Sequence, residues 1–396
     1  MDSPILREKI KQASELLSEK NIDVWMIYVR ESADIHDPSL DVVVGSNHTW
    51  QSAFIIDRSG ETTAIIGSLE EPSFKKRNLY DNVIGYVKSV KEPLLEYFNK
   101  RNPKSIALNY SVNSNLADGL THGMYLNLLN YFQGTDFASR FISSEEIIRA
   151  LRGRKSESEL NNIREAIKHT QEIFAETTKF IAPGRTEQEI AAFMTARVKE
   201  RGLELAWDPD HCPAVYAGPE VEGAHSGPTN RTVEKGHVLN IDYGVKVNGY
   251  CSDMQRTWYV LRDGETEAPA AVMHGFNTIK TSIRKASDAI KPGMKGFEID
   301  TIARSHITSN GYAEFQHALG HQVGRNVHDG GVGLYPQWEK YGILPNLELE
   351  KGQVFTIEPR LKVEGHGTVT MEEMVVVTED GCSYLSIPQE EIILIK

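Results

Sequence analysis

Cysteine is scarce: 396 residues contain three, Cys212, Cys251 and Cys382, with no C-x-x-C pair among them. That excludes a disulfide framework and a zinc ribbon and suits a reducing compartment, so the expected location is the cytoplasm. Long apolar runs are also missing. None approaches the roughly 20 residues that cross a bilayer, so no membrane partner is expected. The opening MDSPILREKIKQASELL carries charges at helical spacing and does not read as a signal peptide. Basic charge is the third shortage. Lys and Arg total 43 against 55 Asp and Glu, a formal net charge of −12. A nucleic-acid partner would want a basic stripe, so none is expected.

What remains is ordinary for a globular protein with sizeable cores: 40% apolar and 8% aromatic residues. The length favours two domains, with three as the alternative. Residues 5–20 have the spacing of an amphipathic helix that Asp2 or Ser3 can cap. A buried strand over 24–29, a hairpin over 52–66, further strands near 83–87 and 106–108, and helices over 91–99 and 119–133 predict an α/β domain over residues 1–145. Asp34, His36, Asp37 and Asp41 read as a solvated polar loop, or one that reaches a neighbouring subunit. A charged connector over 143–158 puts the boundary near 145, with a long helix over 159–180 behind it.

The second half, residues 146–396, contains an internal repeat. Residues 181–203 and 290–312 align without a gap, matching Ile181, Pro183, Gly184, Glu189, Ile190 and Gly202 to Ile290, Pro292, Gly293, Glu298, Ile299 and Gly311. Each copy is a Pro-Gly turn, an amphipathic helix and a terminating glycine. Duplication of this kind places a site between two similar lobes.

Residues 240–257, NIDYGVKVNGYCSDMQRT, predict two strands joined by the turn Asn248-Gly249. In that register Val247 faces Tyr250 and Gly244 faces Asp253, so Asp242 and Asp253 share a sheet face as diagonal neighbours roughly 7 Å apart. Like charges so placed require a cation or a proton. Further on come His317 and His321 in H-A-L-G-H, His328 in V-H-D, Glu358 in F-T-I-E-P, and Glu372-Glu373 inside T-V-T-M-E-E-M-V-V-V-T. Carboxylates set in apolar strands are costly to bury unpaired. Two divalent cations would satisfy them, and carboxylates with one imidazole suit Mn2+, Co2+, Zn2+ or Fe2+. Alternation alone does not separate Glu372 from Glu373; the following valine run favours Glu372.

Taken together, Asp242, Asp253, His321, Glu358 and Glu372, in this order and wording, resemble the pita-bread metallopeptidases: methionine aminopeptidase, aminopeptidase P and prolidase. H-A-L-G-H, H-D and S-D-M-Q-R-T bring the chain nearest the proline-specific branch, Xaa-Pro dipeptidase (prolidase) first. The resemblance implies an α/β N-terminal domain followed by an α+β, duplicated pita-bread domain. It implies two divalent metal ions per subunit, Mn2+ first with Zn2+ or Co2+ as alternatives. Asp242 would hold one ion, Asp253 and Glu372 would bridge both, and His321 and Glu358 would complete the other. Glu358 would accept the proton of the attacking water. His225 and His328 would hydrogen-bond the scissile carbonyl and the tetrahedral intermediate, and His317 would line the proline-side pocket. Proline-containing dipeptides or short peptides are the implied partners, and a homodimer the implied assembly. Two positions depart from the family: Thr370 where many members carry Arg, and Arg360 where Gly is common. Arg360 is therefore taken as a substrate-binding residue that replaces the lost cation from the neighbouring strand. The alternatives are an aminopeptidase P acting on longer peptides, a metal-free creatinase-like enzyme and an inactive peptide-binding module. The last two usually lose the acidic ligands that this chain keeps.

Overall fold

In the computed structural model, which describes residues 3–219 and 226–396, the chain forms two compact units, Met1–Arg152 and Gly153–Lys396. The first is built on a six-stranded sheet whose spatial order is Asn82–Tyr86, Thr62–Gly67, Ser52–Asp57, Val24–Val29, Ile106–Leu108, Phe141–Ser143. The central strand VWMIYV is buried along its whole length because both faces are covered. Trp25, Ile27 and Val29 join one core with Leu6, Ala13 and Leu17 of the helix Ser3–Glu19, while Val24, Met26 and Tyr28 join another with Leu94, Phe98 and Leu128.

Three expectations for this unit are corrected. The stretch taken as a charged connector forms the helix Glu145–Gly153, because Ile147, Ile148 and Leu151 fall on one face and enter the core. The two units divide at Arg152/Gly153, at the last residue of that helix. Asp37 is no member of a solvated loop. It is fully buried, accepting two hydrogen bonds from Asn109 Nδ2 at 3.0 and 2.8 Å and one from the Ser39 amide at 2.8 Å. His36 and Asp41 form an exposed pair. The predicted helix over 119–133 is shorter, His122–Tyr131, since Thr121 caps it by accepting from the Met124 amide.

Among the described residues the second unit has four long helices, α1 (Glu157–Phe180), α2 (Glu187–Glu200), α3 (Ala270–Ala289) and α4 (Gly296–Ser309). Its site is carried by β1 (Ala214–Ala217), β2 (Val238–Tyr243), β3 (Val245–Val247), β4 (Tyr250–Cys251), β5 (Met254–Val260), β6 (Val354–Ile357), β7 (Arg360–Val363), β8 (Gly367–Thr370) and β9 (Glu373–Val377). β1, β2 and β5 are neighbours in one sheet; β6 pairs with β9, and β7 with β8, all antiparallel. Phe355, Ile357, Leu361, Val363 and Val375 pack with Val272, Phe276, Ile279 and Ile299 of α3 and α4 into one core. The opposite face of the same strands is left for chemistry.

The repeat holds in three dimensions. α2 and α4 start and end 109 positions apart (187 to 296, 200 to 309), and so do the ends of α1 and α3 (180 to 289). Gly184 donates its amide to the Val233 carbonyl at 2.8 Å as Gly293 does to Leu349 at 2.9 Å. Beyond these contacts β2 and β6 match at 116 positions (238 to 354). The turns Asn248-Gly249 and Glu364-Gly365 keep the same spacing, with Gly249 at φ 81° and Gly365 at φ 71°. Asp242 and Glu358 thereby occupy equivalent places, and Asp253 and Glu372 each directly precede the returning strand.

Candidate metal centre

The first wall of the site is the predicted hairpin in the predicted register. Lys246 pairs with Cys251, Val247 with Tyr250, and Gln255 with Asp242. Asn248 (φ 49°) and Gly249 (φ 81°) supply the two positive angles of the turn. The strands kink between β2 and β3, where a Cβ on Gly244 would lie 2.0 Å from the Ser252 carbonyl oxygen. The close approach requires glycine there and carries Asp253 to the face that Asp242 occupies.

The second wall is the equivalent hairpin. Ile357 pairs with Glu373 and Arg360 with Thr370, so Glu358 stands opposite Glu372 in the same register. Between the walls stands His321. Its Nδ1 donates to the Gln322 carbonyl at 3.4 Å, which leaves Nε2 as the atom that faces the acids. His321 Nε2 is 3.2 Å from Glu358 Oε1 and 3.6 Å from Asp253 Oδ2. Asp253, His321 and Glu372 offer ligand atoms that all lie within 4.8 Å of one another.

Burial has large consequences here. Glu372 is buried and neither of its oxygens has a hydrogen-bond partner; Asp242 Oδ1 is in the same state. Burial, then the neighbouring carboxylates, pushes Asp242 and Glu372 far above the usual carboxylate range. Burial also pushes Asp253 up to about 7, against the pull of His321 and with the push of Glu358. For Glu358 burial is again the largest influence, but the bond and charge of His321, with His317 and His328, outweigh it and hold the group low. Burial opposes the charge on His321, yet Glu358 and Asp253 raise it to about 9. One imidazole thus stands among four acidic side chains. Oxygen-rich ligands with one nitrogen and unpartnered buried atoms fit divalent cations.

Some neighbours were not anticipated. Gln255 Nε2 donates to Glu358 Oε2 at 3.2 Å, and Thr370 Oγ1 donates to Gln255 Oε1 at 3.1 Å. Thr356 Oγ1 donates to Glu358 Oε1 at 3.3 Å and accepts from the His321 amide at 3.1 Å. Glu373 points away from the acids and pairs with Arg256 at 3.0 Å. Strand alternation after Asp253 carries the signal for these: Gln255 falls on its face and Arg256 on the other.

Of the remaining predicted residues, His225 lies outside the described residues. His328 is exposed, with its ring edge-on to His321 at 4.3 Å between centroids. His317 Nδ1 donates to the Ala318 carbonyl at 2.7 Å, while its Nε2 is buried without a partner. Arg360 is half-buried at the rim, where its charge acts on Tyr216, Asp242 and Glu358. Outside the predicted set, His211 is exposed and Cys212 is buried behind the first wall, with its thiol toward the Gly244 carbonyl.

Residues 161–379 match the model of metallopeptidase family M24. An uncharacterized peptidase of Staphylococcus saprophyticus is 28% identical over 339 residues, covering 84% of this chain and 87% of its own. The solved prolidase from Pyrococcus horikoshii superposes with a TM-score of 0.71 at 25% identity, over 98% of this chain and 100% of its own. The solved X-Pro aminopeptidase from Thermotoga maritima does so with a TM-score of 0.72 at 25% identity, over 98% and 99%.

Proposed function

The chain belongs to metallopeptidase family M24, the pita-bread peptidases, and from that membership we propose that it hydrolyses the imide bond of Xaa-Pro dipeptides. The observation that carries the reading is the set of buried acids without partners: Asp242 Oδ1 and both oxygens of Glu372, gathered with Asp253, Glu358 and His321. A catalytically dead binding module has no reason to keep so costly a cluster.

Asp242, Asp253, His321, Glu358 and Glu372 would hold two divalent ions, Mn2+ first and Zn2+ or Co2+ as alternatives. When bound, such ions act as Lewis acids and ionise water near neutral pH. Glu358 accepts the proton of the attacking water and passes it to the leaving proline nitrogen. Gln255 and Thr356 fix its two oxygens for this work. His328 beside His321, with His225, donates to the scissile carbonyl and to the oxyanion it becomes. His317 lines the proline side, with its Nε2 turned acceptor by the bond its Nδ1 makes. Arg360 belongs to the substrate side. The second reading, an Xaa-Pro aminopeptidase on longer peptides, draws support from the likeness to the Thermotoga enzyme.

A homodimer in a reducing compartment fits this reading. Exposed Trp50, Leu69 and Val87 border a hollow of about 760 Å³ on the first unit, an apolar surface suited to another copy. The test is one preparation, metal-loaded, with mass by light scattering near twice 44.4 kDa. Ala-Pro should release proline, chelation should stop it, and metal analysis should find two ions per chain. A fully loaded protein that leaves both Ala-Pro and Ala-Pro-Ala intact would sink the proposal.

A further inference from the structure

Arg360 and Lys362 are the basic side chains of β7 that share the face of the acids; Lys362 is exposed and further out, and Arg360 is the half-buried one next to them. Side chains alternate along β7: Leu361 and Val363 enter the core, which fixes the register and sends Arg360 to the other face, that of Glu358. Across the hairpin it pairs with Thr370, which shares its face with Glu372. Arg360 therefore stands one pleat outward from the two carboxylates, about 7 Å along the strand.

A guanidinium has five N–H donors in a planar fork and stays charged. Half-buried, this one makes no hydrogen bond and no ion pair among the described residues. Of the groups around it, Asp242 is one of the proposed metal ligands and makes no ion pair with it, and the others are committed elsewhere. Thr370 gives its hydroxyl to Gln255, Tyr216 gives its hydroxyl to the Ser226 carbonyl, and Glu358 is held by His321, Gln255 and Thr356. A half-buried cation whose donors are unspent is built for an anion that arrives from outside.

We propose that Arg360 takes the free α-carboxylate of the residue following the scissile bond, which makes the substrate class dipeptides and not longer peptides. The inference rests on the Xaa-Pro reading above. In an Xaa-Pro dipeptide the carboxylate carbon lies about 2.5 Å from the imide nitrogen, so an anion receptor must border the acids that work on that bond. A longer peptide puts a neutral amide carbonyl there and sends its chain onward past the guanidinium. A carboxylate matches both prongs of the fork; an amide oxygen matches one.

Two measurements on the metal-loaded protein test this, each with wild type, Arg360→Ala and Arg360→Lys. The first is kcat/KM for Ala-Pro against Ala-Pro-NH2. Wild type should prefer the acid by about 100-fold, through KM, and Arg360→Ala should bring the ratio to within about threefold of unity. Arg360→Lys should keep part of the preference, because a point charge replaces the fork. The second is calorimetric binding of L-proline against L-prolinamide, which needs no turnover. Hydrolysis of acid and amide alike by wild type, or an equal loss on both in Arg360→Ala, overturns the role of Arg360 and leaves the Xaa-Pro reading intact. Discrimination of proline from prolinamide that depends on Arg360, without hydrolysis of either peptide, supports the receptor and overturns the Xaa-Pro activity. Absence of discrimination in both measurements overturns the receptor.

Discussion

Glu372 and Glu373 are adjacent and both buried, yet their surroundings are opposite. Glu373 has Arg256 at 3.0 Å, the Ser386 hydroxyl at 2.5 Å and the Gln389 amide at 3.0 Å. Glu372 has no hydrogen-bond partner for either oxygen. In the metal-free protein a neutral amide at 372 is therefore easier to bury than a carboxylate. Glu372→Gln is expected to raise the thermal midpoint of chelated protein by about 2 °C or more while lowering bound metal to one ion or fewer. Calorimetry and metal analysis on one sample check both signs; a lower midpoint with full metal would contradict them. Which glutamate faces the acids was only weakly legible, because an apolar run on both sides gives alternation nothing to count from. Arg256, which claims Glu373, belongs to the other hairpin. Asp37 was misread for a related reason: its partner Asn109 is far along the chain, and no local pattern announces a buried carboxylate.

Among elements, the hairpin over β2 to β5 was the most legible, since Asn-Gly sets both turn and register locally. Its counterpart turns through Glu364, Gly365 and His366 without that signature, so the run over 368–378 looked like one strand; it is β8 and β9, broken at Met371 and Glu372. The loop that carries His328 is held by a pair the sequence did not suggest. Lys155, just before α1, reaches Asp329 at 3.2 Å, with side chains 1% and 2% exposed. Asp329 also accepts from the Asn326 amide and donates its own amide to Gln322. Lys155→Met removes the cation that faces a buried carboxylate next to His328. We expect it to cost about 3 to 5 kcal/mol in urea unfolding and to lower turnover, with Asp329→Asn added in the same chain restoring part of the stability. Additive losses in the double variant would show that the two charges do not depend on each other.

For the whole molecule the acids set a pH dependence that metal should mask. Asp253 in the fold sits at about 7, against about 4 unfolded, so the folded chain loses stability as pH climbs through that interval. His321, at about 9 in the fold, contributes stability that is full below about 6.5 and is lost as pH rises through its folded value. Glu358, held low, loses its contribution only in acid. Chelated protein should therefore melt at least about 5 °C lower near pH 9.5 than near pH 6, and less so with divalent metal present; a flat chelated profile would contradict this. The duplication that gathers the acids was legible in the paired Pro-Gly helices, and the structure extends it into the strands. Its imperfections matter as much as its matches. Asp242 answers to Glu358, but at the next position outward Gly244 answers to Arg360 (244 to 360, the same 116 as 238 to 354). His321 lies across from Thr356 as Tyr216 lies across from Asn240, so imidazole answers to phenol. The guanidinium of Arg360 and the imidazole of His321 therefore belong to one lobe. A two-fold scaffold has no direction of its own, whereas a peptide runs from amine to carboxylate. With Arg360 taking the carboxylate as proposed, these two exchanges give the scaffold a polarity, and a bound peptide would lie in it only one way round.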